Sequence, residues 1–324
     1  QTPGAKGIDT PGKWVYNADI ARFIPIVQYY RMTSLLKELF KTMRPRQWTK
    51  NTVVFAALVF DEKLFRVNLL SKTVAAFAIF CLLSSTVYLV NDLVDIEKDR
   101  QHPIKRNRPL ASGRLSRRAA IVAAVLLALF CIPAAFVLEP SFGVIASGYL
   151  LVMFAYSFWL KNIVIIDILT IAAGFVLRVA GGVAIVPVER FSPWLYICTT
   201  LLALFVGISK RRHELLLLEG NANNHRAILS EYSPKLLDEM TAVVTSTTII
   251  AYSLYTFTAP NMPANHTMML TIPFILYGIF RYLYLVHQKN LGGSPEELVL
   301  KDKPLLAAIV LWGLSVIIFL YGCN

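Results

Sequence analysis

Residues 75–99 read AAFAIFCLLSSTVYLVNDLVDIEKD. The first sixteen are a predominantly apolar run, and the last nine carry Asn91, Asp92, Asp95, Glu97 and Asp99. No Gly or Pro separates the two parts, so one helix is predicted to run from the apolar stretch into the acidic one. Residues three and four apart share a helix face. That spacing places Asp92, Asp95 and Asp99 on one side with Asn91 beside Asp95, while Leu93 and Ile96 point elsewhere. Three carboxylates at a membrane boundary repel one another, and a divalent cation offsets that repulsion. Oxygen-only ligands suit Mg²⁺, which takes one or two carboxylates together with substrate phosphates and water. The alternative is a solvated helix end paired with Lys98, Arg100 and Arg106.

The segment that follows, residues 101–113, reads QHPIKRNRPLASG. Pro103 ends the helix. Lys105, Arg106 and Arg108 then fall in a loop a few residues from the aspartates. A metal on carboxylates facing guanidinium groups forms a cradle for a phosphorylated ligand. A topogenic role for these basic residues is compatible with that one.

The rest of the chain supplies the membrane. Of 324 residues, 56% are hydrophobic and only 16% charged, with a mean hydropathy of +0.56. Soluble domains carry about a quarter charged residues. Nine apolar segments are long enough to be read as spans: 45–61, 72–92, 119–138, 142–160, 163–186, 193–209, 240–258, 267–287 and 304–322. The first is the weakest, because its purely apolar part is short. Loop charge tests the count. With the N-terminal approach placed in the cytoplasm, 22 Lys and Arg fall in loops on that side and four on the other. This agrees with the positive-inside rule for an odd number of spans, N-terminus in and C-terminus out. The expectation is an all-α polytopic protein of the cytoplasmic (inner) membrane, its acidic cluster facing the cytoplasm. The net charge of +12 then reflects topology and anionic lipid, not nucleic acid. Residues 1–36 are read as a tail or surface segment of unassigned role, and 37–324 as the membrane domain. Cys81, Cys131, Cys198 and Cys323 are scattered, without metal-type spacing, and are read as buried thiols. Oligomeric state is left open, a homo-oligomer included.

Other positions invite a reading. Lys50 and Asn51, at the start of the first segment, are placed to reach a phosphate or to snorkel to the interface; Trp48 reads as an interface anchor. Tyr156 and Lys161 close the fourth span and Asp167 opens the fifth. An Asp inside a span needs a partner; either Lys161 pairs with it across the short turn, or these residues belong to the donor site, with Tyr156 and Lys161 as substrate contacts. Arg178 lies deeper in an apolar segment and is expected to face a cavity and meet an anion or a carboxylate. Gly174, Gly181 and Gly182 are expected to allow close helix packing. Glu214 and Glu219 are placed to orient basic neighbours. Arg281 and Tyr282 are read as phosphate contacts or interface anchors. His102, His213, His225, His266 and His287 have no ligand spacing and are read as structural.

NDLVDIEKD followed by HPIKRNRPLASG resembles the NDxxDxxxD motif of the UbiA superfamily of intramembrane prenyltransferases, at its expected second helix. The resemblance covers about residues 40–322. It implies nine transmembrane helices around a central cavity. Residues 44–51 (RPRQWTKN), 156–185, 192–194 (SPW), 209–220 (SKRRHELLLLEG) and 292–302 are similar to the branch of the superfamily that transfers phosphoribosyl groups to a decaprenyl-type phosphate. Ordinary members carry a second aspartate motif on the sixth helix; here Lys210, Arg211, Arg212, His213 and Glu214 stand there instead. A basic cluster suits a second phosphate better than a second metal. The resemblance thus implies phosphoribosyl diphosphate as donor and a polyprenyl phosphate lipid as acceptor. Mg²⁺ is expected on Asp92 and Asp95 with support from Asn91 and Asp99. Lys105, Arg106, Arg108, Lys210 and Arg211 are the expected contacts for the remaining phosphate charge. Transfer of a prenyl group to an aromatic or other acceptor is the alternative, which the altered sixth-helix motif disfavours. A transporter with a cation-binding acidic cluster is disfavoured by the absence of paired inverted repeats.

Overall fold

The computed structural model describes residues 33–187, 193–217, 227–259, 262–263, 265–289, 291, 293 and 295–322. Residues 1–32 of the expected tail, Arg190, Ser192, Glu219, His225 and Cys323 lie outside the described residues. Among the described residues every regular element is helical. Residues 33–43 form α1. A 3₁₀ segment, Pro45–Phe55, leads into α2 (Ala56–Phe60). Then come α3 (Val67–Val94), α4 (Ile96–Gln101), α5 (Arg117–Leu138), α6 (Pro140–Phe158), α7 (Ile166–Ile185) and α8 (Pro193–Leu217). The chain ends with α9 (Pro234–Thr258), α10 (Ile272–Gln288), α11 (Pro295–Lys301) and α12 (Lys303–Gly322).

Among the described residues, eight helical segments have the length and hydropathy to cross a membrane: α3, α5, α6, α7, α8, α9, α10 with its 3₁₀ lead-in, and α12. Each matches one of the expected spans. The ninth, 45–61, differs in kind. Pro45 starts it, residues 46–52 (RQWTKNT) are mostly polar, and eleven residues of 3₁₀ helix precede five of α-helix. Packed against α3 and α7, this segment buries Asn51 and Val54 completely.

The close packing around α7 rests on two glycines. A Cβ at Gly182 would fall onto the Val54 carbonyl, and one at Gly181 would lie 2.6 Å from the Phe80 ring. Phe80 in turn meets Phe142 and Tyr149 edge-on, at centroid distances of 5.3 and 5.4 Å. The helix ring closes at the far end, where the Tyr321 hydroxyl of α12 donates to Val59 (3.0 Å) and accepts from the Leu64 N–H (3.1 Å). Leu126, Leu129, Phe130 and Val137 of α5, with Val310, Leu311 and Leu314 of α12, point outward and exposed, as lipid-facing residues do.

α3 is 28 residues long, about 42 Å at 1.5 Å per residue. It therefore carries its C-terminal end beyond a hydrocarbon core of about 30 Å. The expected single helix through Asp99 is interrupted once. Asp95 leaves helical geometry (φ −95°, ψ 8°), ending α3 before α4 begins. The N–H groups of Asp95 and Asp99 still bond four residues back, at 3.0 and 2.8 Å, so the spacing of the acidic residues survives the break.

Gly182→Ala should lower stability by about 1–3 kcal/mol, because the obstructing atom is backbone and cannot rotate away. Gly148→Ala, where nothing lies within 4 Å, is the control. Thermal unfolding in detergent checks this; equal midpoints for the two variants would contradict the close approach.

Candidate functional site

Where α3 meets α4, a cavity of about 490 Å³ opens between α3, α6, α7 and α8 and the loop after α4. Lys98 of α4, Lys105 of the loop after it, Lys161 between α6 and α7, and Lys210 toward the C-terminal end of α8 all line it. These parts of the chain therefore share one end of the bundle, as the charge count requires.

The rim carries the acidic motif, with each aspartate held by a cation. Lys161 is buried, and its Nζ donates to Asp95 Oδ1 (2.7 Å) and to Asn91 Oδ1 (3.4 Å). Arg108 Nη1 donates to Asp99 Oδ2 (2.7 Å) and Asp92 Oδ1 (3.1 Å). Arg44 also pairs with Asp92 and lies over the Tyr88 ring at 4.7 Å. Asn91, Asp95 and Asp99 face the cavity, whereas Asp92 faces an adjoining pocket of about 300 Å³ lined by Lys41, Arg44, Lys105 and Arg108. Burial pushes the Asp99 carboxyl above its ordinary range, and Arg108 draws it only part of the way back. The alternative pairing with Lys98, Arg100 and Arg106 is not what forms: Arg100 bonds Glu97 at 3.1 Å, Lys98 lines the cavity, and Arg106 is exposed. Of the three loop cations, Arg108 and Lys105 line both pockets and Arg106 neither.

Deeper in the cavity stands Arg178, 6% exposed. Its Nε donates to Asn51 Oδ1 (2.6 Å), Nη1 to the Gly174 carbonyl (2.8 Å) and Nη2 to the Tyr149 hydroxyl (2.8 Å). Asn51 thus holds Arg178 and does not itself line the cavity; Lys50 beside it does. Trp48 donates to Ser85 Oγ at 3.0 Å, a structural tie.

The third wall comes from α8. Lys210, Arg211, His213 and Glu214 line the cavity, but Arg211 is also committed to its neighbours. It pairs with fully buried Asp167 at 2.6 Å and with Glu214. The Tyr232 hydroxyl donates to Asp167 Oδ1 (2.8 Å) and accepts from the Ile165 N–H (2.7 Å). Burial pushes the Tyr232 hydroxyl up to about 12, so it remains a donor. The expected Lys161–Asp167 pair is thereby corrected: Asp167, in the first turn of α7, is met by α8, while Lys161 turns to the aspartate motif. Tyr156 lines the cavity beside Lys161. Arg281 lies outside it, bonded twice to Asp302 at 3.1 and 2.9 Å, and Tyr282 packs on Phe205. His102 accepts the Ile104 and Lys105 N–H groups at 3.1 and 3.3 Å, shaping the basic loop.

Three participants were not singled out from sequence. Arg44 stands in RPRQWTKN, where the resemblance offered a signal. Tyr149 and Tyr232 had none. His213, named in the sixth-helix cluster but read as structural, lines the cavity.

Among the described residues no three Asp, Glu, His or Cys side chains are grouped closely enough to form a ready-made metal site, because Arg44, Arg108 and Lys161 draw the aspartates to separate cations. The donor chemistry nevertheless suits Mg²⁺, since Asn91 and Asp95 already direct oxygens at a single cation, Lys161 Nζ, and Mg²⁺ takes few protein ligands when phosphate oxygens complete its shell.

Arg211→Gln should cost about 3–5 kcal/mol by leaving Asp167 buried and unpaired. Adding Asp167→Asn should recover part of that loss. A double-mutant cycle by chemical denaturation measures the coupling; strict additivity, or coupling of Asp167 to Lys161 instead, would contradict the pairing.

Residues 52–298 match the UbiA prenyltransferase family. The chain is 33% identical over 285 residues to the decaprenyl-phosphate phosphoribosyltransferase of Mycobacterium tuberculosis, covering 86% of this chain and 93% of that one. It is 31% identical over 296 residues to the protein of that name in Corynebacterium glutamicum, covering 89% and 88%. The fold is similar to that of a UbiA homolog from Archaeoglobus fulgidus solved with GPP and Mg²⁺, with a TM-score of 0.68 at 18% identity over 86% of this chain and 99% of that one. By sequence and by fold alike, the chain belongs to the UbiA prenyltransferase family.

Proposed function

We propose that this membrane enzyme transfers 5-phosphoribosyl from phosphoribosyl diphosphate to a polyprenyl phosphate of the decaprenyl type, releasing pyrophosphate. The observation that carries the reading is the cavity wall on α8. There the charged and titratable residues lining the cavity are Lys210, Arg211, His213 and a single acid, Glu214, which Arg211 already binds. A wall of that charge receives a second phosphate, and the donor proposed here has one. The similarity to phosphoribosyltransferases across most of both chains supports the same donor.

The cavity opens to the cytoplasm in this reading, with the N-terminus on that side and the C-terminus opposite. Asp95, Asn91 and Asp99, with Asp92 behind them, are the residues that would hold Mg²⁺. When bound there, Mg²⁺ neutralises the diphosphate and makes it a better leaving group. Lys161 and Arg108, paired with Asp95 and Asp99 in the ligand-free protein, turn toward phosphate oxygens as the donor arrives. Lys50, Lys105 and Lys210 add positive charge along the wall. The bond from ribosyl C1 to the diphosphate oxygen breaks, its electron pair leaving with pyrophosphate. The bond from C1 to a polyprenyl phosphate oxygen forms on the opposite face. That oxygen is already anionic, so no side chain has to remove a proton. The protein contributes positioning, electrostatic stabilisation and exclusion of water.

Purified protein given Mg²⁺, phosphoribosyl diphosphate and a polyprenyl phosphate should release pyrophosphate. Asp95→Asn and Asp99→Asn should each lower the rate by at least about a hundredfold while the protein stays folded. Pyrophosphate release with a prenyl diphosphate and an aromatic acid, and none with the ribosyl donor, would replace this reading with prenyl transfer.

A further inference from the structure

We infer that the floor of the cavity is a second anion seat, built around Arg178, that takes a phosphate monoester. The inference deepens the proposed reaction and rests on it for the identity of the two candidate ligands.

Arg178 is buried to 6% exposure, faces the cavity, and meets no carboxylate among the described residues. Its three hydrogen-bond acceptors, Asn51, Gly174 and Tyr149, are all neutral. A guanidinium has five N–H groups and stays charged at any working pH. Three of the five are used, which leaves one on each terminal nitrogen without an acceptor among the described residues. A buried cation without a counter-charge is costly and is found where a ligand brings the charge.

The surroundings fix the guanidinium in place. Asn51 donates to Ser84 Oγ and Cys81 Sγ, both at 3.3 Å, which turns its carbonyl oxygen toward Arg178. The Tyr149 ring lies 4.7 Å below the charge and the Phe175 ring 5.3 Å away. A side chain held this way is organised to receive a ligand before the ligand arrives.

The seat is distinct from the rim. Ser84, one contact away from Arg178 through Asn51, precedes Asn91 by seven residues on α3, about 10 Å along the axis. One diphosphate does not span that distance. A sugar phosphorylated at both ends does, and so does a separate lipid headgroup reaching in from the bilayer. The ligand chemistry is the same in both cases, a phosphate monoester: that of the acceptor lipid if the α8 wall holds the donor's 5-phosphate, and that of the donor if the α8 wall instead meets the lipid phosphate.

The test uses the full chain in nanodiscs and calorimetric titration with three probes: Mg²⁺-pyrophosphate, ribose 5-phosphate and a polyprenyl phosphate. Arg178→Met should weaken one or both monoesters at least about tenfold and leave Mg²⁺-pyrophosphate within about twofold, with Arg178→Lys intermediate. Loss confined to ribose 5-phosphate assigns the seat to the donor, and loss confined to the lipid assigns it to the acceptor. The ligand-free unfolding midpoint of Arg178→Met should not fall, because the substitution removes an uncompensated buried charge. The proposal is overturned if all three probes weaken together. Unchanged monoester binding with a lowered midpoint in both variants overturns it too, since Arg178 would then be a structural clamp. A wild-type protein that binds both monoesters yet releases no pyrophosphate from phosphoribosyl diphosphate in the presence of Mg²⁺ and a polyprenyl phosphate would refute the proposed reaction and leave the seat standing.

Discussion

A charge inside a bundle of apolar helices persists only beside something that compensates it. That requirement organises this protein. Asp167 has Arg211, Asp95 has Lys161, and Asp92 and Asp99 share Arg108. The Arg211 and Lys161 pairs join parts of the chain far apart in sequence, and Arg108 folds the loop after α4 back onto the aspartate motif, so charge compensation also fixes how α3, α7, α8 and that loop meet. A pair of this kind contributes little net stability, because desolvation offsets the attraction. What it provides is a set of cations and carboxylates already in position around a cavity, which in the proposed reaction exchange their partners for a metal and phosphates.

The apolar packing serves the same end. Gly182 lets the 3₁₀ segment Pro45–Phe55 press against α7, and Gly181 admits the Phe80 ring of α3 beside it. That contact carries Asn51 into the core, where it grips Arg178. The long α3 then raises the aspartate motif to the rim while its middle, at Cys81 and Ser84, supports Asn51 at the floor. One helix therefore sets the separation between the two charged levels of the cavity.

Much of this was legible in the sequence because it rests on local features. Among the described residues, eight of the nine apolar runs are helices long and apolar enough to span a membrane, and the acidic motif lies where the end of the second run placed it. The first run differs because residues 46–52 are polar and need partners inside the protein, which hydropathy alone does not reveal. Lys161 and Asp167 were expected to pair because they are close in sequence. Across the intervening turn, Lys161 faces α3 and Asp167 faces α8, and only the three-dimensional packing decides that. Tyr232 is illegible for the same reason, being an ordinary loop tyrosine until the fold places it 65 residues away on Asp167. Arg178 was legible as a buried charge, but its neutral partners were not.

The central claim is that the built-in cations of the rim hold the aspartates until a phosphorylated donor and its metal take over. An experimental structure with Mg²⁺ and phosphoribosyl diphosphate measures this most directly. The account predicts the diphosphate at Asn91, Asp95 and Asp99, with Lys161 moved from Asp95 onto phosphate oxygen. A donor bound elsewhere, or seated at the rim with the Lys161–Asp95 and Arg108–Asp99 pairs unchanged and no metal on the carboxylates, would contradict it.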